Sequence, residues 1–99
     1  MSATEYFRRN CWISTECDDR FVADVIRWLG DDHIVFETDY PHPDSKYPHA
    51  TEHFLALQPE LVSRDAKRKI LWDNAVDLYR FPPDYLPREF RDATAAVSA

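Results

Sequence analysis

A chain of 99 residues suits one small domain, and at this size folding buries only about two-thirds of the surface the unfolded chain exposes. Hydrophobic residues at 44%, with Trp12, Trp28 and Trp72 among them, exclude a disordered chain, while the net charge of -6 argues against a nucleic-acid surface. No run approaches the roughly 18 apolar residues of a membrane span, and Met1-Ser2-Ala3-Thr4-Glu5 lacks the layout of a signal peptide. A cytoplasmic protein is therefore expected, with Cys11 and Cys17 as reduced thiols and neither nucleic acid nor membrane as partner.

The β-prone run Asn10-Cys11-Trp12-Ile13-Ser14-Thr15 predicts a first strand near 10–15. Cys17-Asp18-Asp19 then offers capping and dipole-matching acids for a helix near 18–29. Its apolar stripe is Phe21, Val25, Trp28 and Leu29, widened by Val22 and Ile26, and Gly30 stands where a left-handed cap is wanted. The continuous run Ile34-Val35-Phe36 predicts a second strand near 34–38, covered on both faces as in a parallel sheet. Strand, helix and strand in this order make a βαβ unit.

Tyr40-Pro41-His42-Pro43-Asp44-Ser45-Lys46-Tyr47-Pro48 reads as a stiff loop, since each proline fixes its own φ and biases its predecessor toward extended backbone. A helix near 49–57 follows, with Ala50, Phe54 and Leu57 on one side, ended by Pro59. Ser63 caps a longer helix near 64–80, whose buried stripe is Ile70, Leu71, Ala75, Leu78 and Tyr79, stopped at Phe81-Pro82-Pro83. The basic cluster Arg64 to Lys69 is read as a solvated helix face, and residues 84–99 as a surface tail.

Asp39 is the leading candidate for chemistry, because the carboxyl ends of strands are where α/β folds bind ligands. A carboxylate there can ligate a divalent metal or take a proton, or else cap the loop by bonding a backbone N–H two residues on. His42, three positions along, can face the same cavity as donor or proton shuttle, or be an exposed loop histidine. His49 and His53 share a helical face at ligand spacing, but Ala50-Thr51-Glu52 between them does not make an H-E-x-x-H site. A self-contained zinc site of Asp39, His42, His49 and His53 is a further arrangement that the spacing allows. Cys17, beside two aspartates, is poorly placed to be a reactive thiolate, and Asn74 is read as a helix cap or a bond to a neighbouring loop.

Thr38-Asp39-Tyr40-Pro41-His42, followed about thirty residues later by Lys69-Ile70-Leu71-Trp72-Asp73-Asn74-Ala75 and Leu78-Tyr79, resembles the C-terminal end of the amidohydrolase-related metal-dependent hydrolases. The branch in question includes the aminocarboxymuconate-semialdehyde-type decarboxylases, and Glu5-Tyr6-Phe7-Arg8-Arg9-Asn10 resembles the approach to their seventh strand. The resemblance implies an α/β fold in which residues 1–83 are a βαβ unit plus C-terminal helices, the last quarter of a (β/α)8 TIM barrel. It implies that Asp39 is the metal-site acid, beside zinc or a similar divalent ion, and that His42 is a nearby active-site residue. The family's remaining ligands, a histidine-x-histidine pair and two single histidines, have no counterpart in these residues. The expectation is therefore a fragment or one piece of a split enzyme that holds no cofactor and has no activity alone. Completed by the missing N-terminal barrel portion, it would hydrolyse a C–N or C–O bond or decarboxylate a small molecule. The other reading is a non-catalytic interaction module that self-associates through an open sheet edge.

Overall fold

The computed structural model describes residues 1–82, 84 and 85. Helix α1 spans Ala3–Asn10, strand β1 Ile13–Thr15, helix α2 Val22–Leu29, strand β2 Ile34–Phe36 and helix α3 Ala50–Leu55. A final helical run comprises α4 (Arg64–Arg68), a π-helical turn (Lys69–Asp73) and α5 (Asn74–Tyr79). The two strands pair in parallel, Ile13 opposite Ile34 and Thr15 opposite Phe36, with α2 as their connection. Mixed helices around a small parallel sheet make this an α/β fold. Both strands are shorter than their sequence runs, and the expected surface tail lies, beyond Tyr85, outside the described residues.

Helix α1 did not figure in the sequence reading, although its signal is present. Ser2 Oγ accepts from the Glu5 N–H at 3.2 Å and Glu5 returns a carboxylate to the Ser2 N–H at 2.7 Å, the reciprocal box that S-x-x-E encodes. Arg8 then reaches from α1 to the carbonyls of Trp28 and Leu29, satisfying orphan acceptors at the end of α2. The start of α2 is corrected from near 18 to Val22, because Asp19 bonds the Phe21 N–H two residues on and closes a turn instead of capping a helix. Gly30 does end α2, with φ of 85° but ψ of 176°, a glycine-only region outside the left-handed helical basin that was expected. The stripe shifts as well: Val22 is buried, whereas Phe21 and Trp28 are largely exposed.

The core gathers Cys17, Val22, Ile34, Ala50, Phe54, Val62, Ala66 and Ile70, so α3 and the final helical run pack against the sheet. None of the three tryptophans is buried: Trp28 is largely exposed, and Trp12 stacks on His33 at 4.3 Å between ring centres. Tyr79, expected in the buried stripe, is exposed. Within the basic cluster read as solvated, Lys67 is buried, its ammonium donating to the carbonyls of Leu55 and Leu57 at the end of α3. That is a cationic cap on the negative end of a helix.

The π-helical turn explains how one helical run grips the segment before β2. In an α-helix at 100° per residue, Lys69 and Asn74 would project about 140° apart, whereas i to i+5 bonding brings residues five apart nearly into line. Lys69 Nζ binds Asp31 and Asp32 at 3.0 and 2.9 Å, while Asn74 Nδ2 donates to the carbonyls of Asp31 and Ile34 at 2.6 and 2.8 Å. Bonds from Ile13 N–H to His33 O and from Glu37 N–H to Thr15 O show that Val35 faces β1, so Ile34 presents its carbonyl to the other edge. Asn74 satisfies that edge carbonyl, and Ile34 is buried. Asn74→Ala is expected to lower the unfolding free energy by about 1–3 kcal/mol, since it strands a buried carbonyl. A urea melt with an unchanged midpoint would contradict this.

Candidate functional site

Parallel pairing puts the carboxyl ends of both strands on one edge. Glu16 follows β1 there, and Glu37, Thr38 and Asp39 follow β2. Glu16 has its pKa raised, first by burial and then by the negative charges of Asp39, Asp18, Glu37 and Asp44. The sequence reading did not single out Glu16. Its signal lay in register: a residue after Thr15 must sit beside the residue after Phe36.

Asp39 has a left-handed backbone, φ of 59°, which aspartate tolerates better than most residues. That conformation turns the chain sharply out of β2, and the Asp39 carbonyl accepts from the His42 N–H at 2.8 Å. Two further turns follow, Ser45 N–H to His42 O and His49 N–H to Lys46 O. Thr38 binds both ends of the loop: its Oγ1 accepts from the Tyr40 N–H, and its carbonyl accepts from Ser45 Oγ at 2.8 Å. Asp39 has no N–H two residues on to bond, because Pro41 stands there, and the turn of that kind is made by Thr38 to Tyr40. The Asp39 side chain, 45% exposed, instead faces His42 Nδ1 at 3.9 Å.

His42 lies between Asp39 and Asp44, with Nδ1 at 2.8 Å from Asp44 Oδ1. Ligand atoms of Asp39, His42 and Asp44 all fall within 4.8 Å of one another, and all three residues are exposed. Two carboxylates and an imidazole are a donor set suited to zinc or a similar divalent ion, so the residues fit such a group in chemistry. The two sequence candidates are therefore brought together, and Asp44 joins them.

The other histidines lie apart from this cluster. His49 pairs with Glu52 at 3.1 Å, and His53 Nδ1 lies 3.8 Å from Cys17 Sγ. Cys17 is buried and its thiol pKa is pushed up, chiefly by burial and then by Asp18, which keeps it protonated. The Cys17–His53 contact joins residues 36 apart and could not be read from local spacing.

A family model described as Amidohydrolase matches residues 3–81. The chain belongs to the amidohydrolase family. No match is found among curated proteins, and none among solved structures. In this amidohydrolase domain, among the described residues, no helix is long and apolar enough to cross a membrane.

The His42–Asp44 pair gives the amidohydrolase domain a pH signature. His42 has its pKa raised, first by the hydrogen bond it donates to Asp44 and then by the Asp39 charge, while Asp44 is lowered by the same bond. A raised histidine contributes stability below its unfolded pKa and loses it as pH rises through the folded value. A lowered aspartate contributes above its unfolded pKa and loses it as pH falls through the folded value. The pair therefore exists between the lowered Asp44 pKa and the raised His42 pKa. Titration of the His42 ring by NMR is expected to give a midpoint above that of an ordinary histidine, falling in Asp44→Asn. An equal midpoint in both proteins would contradict the pairing.

Proposed function

We propose that this chain supplies the strand-end acid of a metal-dependent amidohydrolase-family enzyme, as the last quarter of a (β/α)8 barrel. The observation that carries the reading is the family match over residues 3–81 on a domain where Asp39 lies three residues past the second of two parallel strands. In such a barrel the carboxyl edge is where reacting groups meet. The ion would be zinc or a similar divalent cation, and when bound it supplies Lewis acidity. Asp39 would hold that ion or accept a proton from the attacking nucleophile, and its left-handed backbone aims the carboxylate out of the strand. His42, its ring held 2.8 Å from Asp44, would be a nearby active-site residue able to take or give a proton.

The histidine-x-histidine pair, the two single histidines and the other strands would come from barrel residues outside this chain, and turnover would need them. The substrate is a small molecule, cleaved at a C–N or C–O bond or decarboxylated without oxidation, in the manner of the aminocarboxymuconate-semialdehyde-type branch. The free thiols of Cys11 and Cys17 suit the reducing cytoplasm. The test is to assemble the domain with a barrel portion carrying those histidines and to assay zinc-dependent ester and amide hydrolysis and release of carbon dioxide. Turnover that needs both pieces is the expected result. An assembled, zinc-loaded barrel that does neither would contradict the proposal.

A further inference from the structure

A groove of about 590 Å3 runs between the end of α3 and the outer side of α4, away from the Asp39 loop in its lining residues. Leu55, Pro59 and Leu71 give it an apolar floor, and Arg64, Lys67 and Arg68 line it with positive charge against the single carboxylate of Asp65. Lys67 is only 8% exposed and its ammonium bonds two carbonyls. Carbonyl dipoles at the end of a short helix supply only a fraction of a unit charge. Among the described residues Lys67 and Arg64 form no ion pair with a carboxylate, whereas Arg68 pairs with Asp73 at 3.3 Å.

We infer that this groove binds a small amphipathic carboxylate, its head between Arg64 and Lys67 and its aliphatic body over Leu55 and Leu71. Charge complementarity selects the head, since a chain of net charge -6 concentrates three cations here. The apolar floor selects the body. The volume lies within the roughly 300–1,000 Å3 of small-molecule sites. A protein partner would need about 800 Å2 from each side, far more than these few side chains offer.

The test is an amide-resolved NMR titration of the full chain with octanoate below its micelle concentration, with acetate and 1-octanol as controls. Octanoate is expected to give saturable shifts confined to Leu55–Leu57 and Arg64–Leu71, with acetate and 1-octanol each at least tenfold weaker. Arg64→Gln, an exposed site that leaves Ser63 as the cap, is expected to weaken octanoate at least fivefold, and Arg64→Lys to restore most of it. Equal shifts with 1-octanol, equal shifts with acetate, indifference to Arg64→Gln, or a response only to a peptide rich in leucine and glutamate would each overturn the inference.

Discussion

Asp39→Asn in the assembled enzyme is expected to lower kcat by roughly 10²–10⁴-fold, the range that a positioned acid or base contributes. Asparagine is the informative replacement because it tolerates the left-handed backbone that residue 39 adopts at φ of 59°. Only the charge is then removed. Alanine should abolish turnover, but a Cβ without a polar tip in that conformation adds about 1–2 kcal/mol of backbone cost. A melt of Asp39→Asn should superimpose on that of the parent, since the carboxylate's nearest partner is His42 at 3.9 Å, too far for a hydrogen bond. Retained turnover, or lost turnover accompanied by lost folding, would refute the assignment.

Ile34→Asp is expected to abolish cooperative folding. Ile34 is 2% exposed, sits opposite Ile13 in the sheet and belongs to the core with Phe54 and Ile70. The substitution removes about 2 kcal/mol or more of apolar burial and adds several kcal/mol for a carboxylate without a partner. A domain of this size holds only about 5–15 kcal/mol of stability in total, so the loss is a large share of it. Far-ultraviolet circular dichroism and a urea melt decide the matter. A soluble Ile34→Asp protein with a sigmoidal transition near the parent midpoint would remove β2 from the core.

Much of this architecture can be read from local pattern. Ile34-Val35-Phe36 reads as a covered strand because its apolar residues are continuous, and Ser63 reads as a cap from its place before a helical stripe, where its hydroxyl does accept from the Ala66 N–H at 3.1 Å. What failed were features decided by competition between local and distant partners. Asp19 closes a turn and delays α2, the π-helical turn interrupts a periodic stripe, and Lys67 turns inward to two carbonyls that precede it by ten or more residues. The candidate site divides in the same way. Asp39 and His42 were visible from their place after a strand, whereas Asp44 joined them only through the turns that fold the proline-rich loop back on itself. Glu16 entered through strand register, which pattern alone does not give.

On the proposed function, the Asp39 carboxylate would serve a divalent ion at the carboxyl edge of the sheet. Titration of the isotope-labelled chain with Mn2+ tests it directly, because a paramagnetic ion broadens only the signals near where it binds. Amides of Asp39, His42 and Asp44 should broaden first, ahead of those of Asp18, Asp24 and Asp77, and Asp39→Asn should abolish that preference. Broadening spread evenly over the acidic surface, or unchanged in Asp39→Asn, would contradict the account.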